Sequence, residues 1–173
     1  MNIQEFGEIS IRGRVAYAIC CFENALKYYS FDKHNWSLLL DRLWEYTHSQ
    51  YLDDWSEKFA ECTASAILEN IDFSKKGIEH LNKNDYDKLR LLYQSSNDVI
   101  RSLSDLIFQL GSIDLYGRLI NNSPNTLKAL TKIISYMESN KIPLPDLQLF
   151  KKFKFEESNG WGNKFLKLDL MNG

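Results

Sequence analysis

The sequence predicts an all-α protein, a compact bundle of about six to eight helices closed by an irregular C-terminal tail. Three observations carry that expectation. Apolar residues recur at helical spacing from about Arg12 to Asn140. No stretch of the body alternates apolar and polar residues for a useful strand length. From Ile142 onward the periodicity stops, and Pro143, Pro145, Gly160 and Gly162 punctuate an aromatic segment.

The first helix is expected from about Arg12 to Tyr29. Val15, Ile19, Phe22, Leu26 and Tyr29 fall on one stripe at helical spacing. The opposite side carries Tyr17, Cys20, Cys21 and Tyr28, which predicts a central helix with neighbours on two sides. A second helix is expected from Asn35 to His48, with Asn35 as its N-cap and Trp36, Leu39, Leu40, Leu43 and Trp44 facing inward. A third begins near Leu52, with Asp53 and Asp54 in its first turn and Trp55 and Phe59 on one side. Ser65 to Asn70 either continues it or makes a separate turn.

Signals weaken after Ile71, where Ser74 to Leu81 could make a short helix interrupted by Gly77. Asn84 or Asp85 is expected to cap the next helix, which runs to about Gln94 and turns Tyr86, Leu89 and Tyr93 inward. The clearest pattern spans Asn97 to Leu110, where Val99, Ile100, Leu103, Leu106, Ile107 and Leu110 share a face and Gly111 reads as the stop. Ser123-Pro124 starts the last long helix, because proline at the first helical position forfeits no hydrogen bond. Leu127, Leu130, Ile133, Ile134 and Met137 face inward, and Asn140 with Pro143 ends it. Phe153 and Phe155 suggest a brief extended piece in the tail. No repeat of roughly 20–50 residues is visible, which argues against a solenoid.

At 173 residues the chain reads as one domain, 1–173, with 142–173 as a tail packed on the body. A chain of this length buries roughly 70% of its unfolded surface and needs no metal or disulfide staple. Its net charge of -2 lacks the basic excess usual in nucleic-acid binders. The opening residues lack the basic start and apolar run of a secretory signal, and no apolar run approaches the roughly 18 residues that span a bilayer. Three cysteines, two of them adjacent, point to a reduced, cytoplasmic protein.

Candidate chemistry is sparse. His34, His48 and His80 have no ligand-like spacing with one another or with the cysteines, so no metal site is predicted. Cys20 would need a nearby base and a cationic environment to act as a nucleophile, and the sequence shows neither. Gly111 to Gly117 lacks the Lys-Ser/Thr of a phosphate loop. No catalytic, cofactor-binding or metal-ligating set is therefore predicted. Asp53, Asp54 and Glu57 suit either a helix N-terminus or an outward-facing interaction surface. Asp85 and Asp87 join them as acidic partner-binding candidates. Glu156, Glu157 and Trp161 form a second set in the tail. Lys151-Lys152-Phe153-Lys154 is a small basic-aromatic cluster whose field is largely cancelled by the two glutamates after it.

The run Ile11-Arg-Gly-Arg-Val-Ala-Tyr-Ala-Ile-Cys-Cys-Phe-Glu-Asn-Ala-Leu resembles the opening of a group of bacterial immunity proteins from polymorphic-toxin and contact-dependent growth inhibition systems. Tyr51-Leu-Asp-Asp-Trp, Leu115-Tyr-Gly, Ser123-Pro-Asn-Thr-Leu, Ile142-Pro-Leu-Pro-Asp-Leu and Asn159-Gly-Trp-Gly-Asn extend the resemblance, in order, across most of the chain. The resemblance implies a helical cytoplasmic protein that is not an enzyme. It would bind the C-terminal domain of a cognate toxin, often a nuclease, one-to-one, without contacting nucleic acid or membrane itself. Two rival readings stand beside it. One is a small helical enzyme using Cys20 or a histidine. The other is a nucleic-acid-binding regulator using Lys151 to Lys154.

Overall fold

The computed structural model describes residues 2–69 and 71–170. Among them are seven α-helices: α1 (Ile11–Tyr28), α2 (Ser37–His48), α3 (Leu52–Ala60), α4 (Ala64–Leu68), α5 (Lys83–Ser95), α6 (Asp98–Ser112) and α7 (Pro124–Ser139). Short 3-10 turns fill the N-terminal lead-in and the tail. The described residues contain no strand, only an isolated antiparallel bridge between Ile9 and Lys154, at the site of the expected extended piece. The all-α expectation holds.

α1 is the central helix. Every residue from Ile11 to Ile19 is buried, and so are Cys21, Phe22, Ala25 and Leu26. It packs against α2, α6, α7 and the 3-10 turn Leu147–Phe150, which explains the apolar residues on both its sides. α3 and α4 lie on α6, and α5 lies on α4. Buried rings join these layers at edge-to-face angles. Phe6, Tyr17 and Phe150 form one series, and Phe22, Trp36 and Tyr93 another. Aromatic pairs of this kind contribute about 0.5–1.5 kcal/mol beyond the area they bury.

Several helix ends depart from the sequence expectation, each for a local reason. Asn35 does not cap α2. It lies in a turn, and the fully packed Trp36, held by Phe22, Phe31 and Tyr93, takes the cap position without a side-chain bond. α4 ends at Leu68, and Asn70 lies outside the described residues. The helix expected from Ser74 to Leu81 reduces to a 3-10 turn, Phe73–Lys75, because Gly77 adopts φ 63°. The Glu61 carboxylate then accepts the N–H groups of Glu79 and His80, satisfying donors that a helix would have used. Asn82, rather than Asn84 or Asp85, caps α5 through its bond from the Asp85 N–H.

Gly111 does not stop α6, which continues to Ser112. A Cβ at Gly111 would lie 2.7 Å from the Trp55 ring, so this glycine is where α3 closes on α6. Large side chains of the tail are buried. Leu147, Phe150, Phe153, Phe165 and Leu170 are buried, and Phe153 stacks on Phe165 with centroids 3.7 Å apart. Residues 171–173 lie outside the described set.

Candidate partner-binding surface

Ser10 caps α1 by accepting the Gly13 N–H, and the first turn then buries Arg12-Gly13-Arg14. Burying two guanidinium groups is costly unless each finds acceptors. Arg14 donates from Nε to the Phe6 carbonyl (3.0 Å) and from Nη2 to the Gly7 carbonyl (3.2 Å). Its Nη1 reaches the Asn122 carbonyl (2.8 Å) and Thr126 Oγ1 (2.6 Å). Burial lowers the Arg14 guanidinium to about 10, while Asp114 pulls in the opposite direction. Arg12 donates to the carbonyls of Tyr46 and Ser49, while its backbone N–H goes to the Trp161 carbonyl. Gly13 must be small, since a Cβ there would sit 2.6 Å from Ile9 Cγ2 and 3.1 Å from Phe153 Cβ.

These bonds gather one end of the bundle. The start of α1, the end of α2, the start of α7 and the tail all meet around Arg12 and Arg14. The corner between α2 and α3 is tied to the tail through Lys164 Nζ and Gln50 Oε1, 2.6 Å apart. The end of α6 joins them through Gly111, whose carbonyl accepts the Tyr46 hydroxyl at 3.3 Å.

A braced loop leaves this end between α6 and α7. Asp114 accepts the Ser123 hydroxyl (2.6 Å) and the Asn125 amide (2.8 Å), drawing the loop ends together. Asn121 and Ser123 hold positive φ of 48° and 49°, a conformation costly for non-glycine residues unless neighbours impose it. Arg14 imposes it from beneath by fixing the Asn122 carbonyl. Leu119 faces the tail, within 3.2 Å of where a Gly160 Cβ would lie. Tyr116 and Ile120 instead point outward, at 82% and 61% exposure, and Ile113 and Tyr51 are exposed at the neighbouring helix ends.

The sequence-predicted residues divide into three groups. Asp53, Asp54 and Glu57 lie exposed at the start of α3, on this end of the molecule. Glu156 is exposed, Glu157 is half-buried with an oxygen toward the Asn163 N–H, and Trp161 is half-buried with its carbonyl on α1. The tail set and the α3 set thus share one end. None of Asp53, Asp54, Glu57 and Glu156 forms an ion pair with a described residue. Asp85 and Asp87 lie elsewhere and serve α5 itself: Asp85 bonds the Asn82 amide, and Asp87 pairs with Lys83. Tyr116 and Ile120 carry no sequence signal of exposure, since each follows a leucine, Leu115 or Leu119, that is half-buried.

The rival chemistries are placed as follows. Burial raises the Cys20 thiol to about 12, with Glu23 adding to the effect, the reverse of an activated nucleophile. Cys21 and Cys62 are fully buried and also raised. No metal-competent cluster of His, Cys, Asp and Glu occurs among the described residues. Lys151 pairs with Glu5 and Lys152 donates to the Asp169 carbonyl, so two of the three lysines of the basic cluster are engaged within the molecule, while Lys154 is exposed. No described helix is long and apolar enough to cross a membrane. No protein-family model matches the chain, and no curated protein or solved structure is similar enough to count as a match.

Proposed function

We propose that this chain is a cytoplasmic immunity protein, acting by binding rather than catalysis. It binds the C-terminal domain of a cognate toxin one-to-one and blocks its active site or the approach of its substrate. The sequence resemblance suggests the class. One structural observation supports it: a braced end of the bundle exposes Tyr51, Tyr116 and Ile120 together with Asp53, Asp54, Glu57 and Glu156, carboxylates that form no ion pair among the described residues.

Large exposed side chains on a braced loop lose little conformational freedom when a partner covers them, so more of their burial appears as affinity. Exposed carboxylates without internal partners speed encounter with a basic surface. A nuclease carries such a surface, because it must approach phosphate. A nuclease domain is therefore the toxin this end fits best.

The test uses the C-terminal domain encoded by the neighbouring reading frame. Binding kinetics are measured by biolayer interferometry across a salt series, with stoichiometry from calorimetry. A one-to-one complex is expected. Replacing Asp53 and Asp54 with Lys should slow association about tenfold at low salt and flatten its salt dependence. Tyr116→Ala should instead speed dissociation. Absence of a complex would sink the immunity reading, and a complex indifferent to these substitutions would move the interface elsewhere.

A further inference from the structure

The last described segment crosses α1 and α2 as a strap of residues 164–170. It is anchored at both ends by buried side chains. Phe165 stacks on Phe153 and donates its N–H to the Thr47 carbonyl at 3.1 Å. Leu170 is buried beside Cys20 and Phe150. Between these anchors Leu166 and Leu168 face solvent, at 54% and 69% exposure, while Lys167 turns inward.

Lys167 Nζ meets Glu23 Oε1 at 2.5 Å and sits 5.1 Å over the Trp44 ring. Glu23, only 13% exposed, also accepts Trp44 Nε1 at 2.9 Å and Lys33 Nζ at 2.8 Å. One carboxylate on α1 therefore holds α2, the loop before it and the strap. Between its two buried anchors the strap has no regular helix or sheet bonding among the described residues. It is a single 3-10 turn, and among the described residues its remaining hydrogen bonds are Lys164 to Gln50 at its start, Lys152 to the Asp169 carbonyl, and two local bonds between Leu166 and Asp169. Such segments open locally at low cost compared with global unfolding.

Two clefts flank Lys167. One, about 610 Å³, is lined by His34, Leu40, Trp44 and His48. The other, about 410 Å³, is lined by Cys20, Leu144, Leu149 and Phe150. Lys167 borders both. We propose that the part of the strap after Phe165, residues 166–170, is hinged and latched by the Lys167–Glu23 pair, and that its release joins the two clefts into one trough over Cys20 and Trp44. The latch controls access to a partly apolar trough distinct from the end surface proposed for the toxin.

Cysteine labelling of the intact protein tests the latch. N-ethylmaleimide is added under native conditions, and tandem mass spectrometry reads Cys20, Cys21 and Cys62 separately. Lys167→Gln is the decisive variant, because the two possible effects have opposite signs. In a closed strap the lost cation raises the Cys20 thiol further and slows its labelling. An unlatched strap admits reagent and water and speeds it. Acceleration of Cys20 by at least about threefold is expected, with Cys62 unchanged. Acrylamide quenching of Trp44, read against a Trp44→Phe control, should rise in the same variant. Slower or unchanged labelling of Cys20 overturns the proposal. So does a parallel rise at Cys62, which lies far from the strap and reports global loosening.

Discussion

Replacing Gly111 with alanine sets two opposing effects against each other at one atom. The position is helical, and alanine is favoured over glycine there by about 1 kcal/mol. Against this, the new Cβ would lie 2.7 Å from Trp55 Cη2 and Cζ3, where ordinary contact begins at 3.4 Å. The ring must therefore retreat by about 0.7 Å. It has nowhere to go. Trp55 stacks on Phe59 with centroids 5.2 Å apart, abuts Tyr46 at 4.7 Å, and donates Nε1 to the Arg42 carbonyl at 2.8 Å. Overpacking of this kind costs about 1–3 kcal/mol. With the ring penned on three sides the upper part of that range applies, and the net change is about 1–2 kcal/mol of destabilisation. For a chain of this size that lowers Tm by roughly 3–6 °C. Thermal unfolding followed by far-UV circular dichroism measures it, with urea titration of Trp fluorescence as a second probe. Gly117→Ala is the control, since its Cβ would meet nothing nearer than 3.9 Å. A Tm for Gly111→Ala equal to or above that of the parent would refute the argument, because the seam between α3 and α6 would then have slack.

Arg14→Met should destabilise by about 3–5 kcal/mol in urea titration, because the carbonyls of Phe6 and Gly7 would stay buried without their donor. Asn82→Ala should cost about 1 kcal/mol by removing the cap of α5, whereas Asn84→Ala, exposed on the first turn, should stay within about 0.5 kcal/mol; equal effects would count against the assigned cap. Burial pushes the Glu23 carboxyl up, but bonds from Lys167, Lys33 and Trp44 outweigh it, and the net shift is below the ordinary 4.5. Its contribution to stability is thus complete above pH 4.5 and is lost as pH falls through the lower folded value. The stability gap between the parent and Glu23→Gln should accordingly narrow on acidification toward pH 3, measured by urea titration at each pH; a constant gap would contradict the shift.

The helical core was legible because burial and helical period act on the same residues. Val15, Ile19, Phe22 and Leu26 recur at the spacing that puts them on one face, and all four are buried. Pro124 marked the start of α7 for an equally local reason, the missing N–H. Caps were harder. Asn35, Asn82 and Asn84 are chemically alike, and only the packing of Trp36 and the entry angle of α5 decide which of them caps a helix. The candidate surface was half visible. Exposed acids such as Asp53 and Asp54 announce themselves by charge, but Tyr116 and Ile120 look like core residues in a one-dimensional reading.

By itself, the sequence determined the helical class, the inner faces of the long helices and the tail as a separate, aromatic-anchored segment. These depend on periodicity and on residues that break it, both of which are properties of neighbouring positions. Tertiary structure alone decided that Arg12 and Arg14 are internal struts, that Gly111 is a packing contact rather than a helix stop, and that Glu23 gathers Lys33, Trp44 and Lys167. The acceptors of Arg14 include Asn122 and Thr126, more than a hundred residues away along the chain. A guanidinium becomes a core residue only when folding brings such acceptors within hydrogen-bond distance, because without them its desolvation would forbid burial.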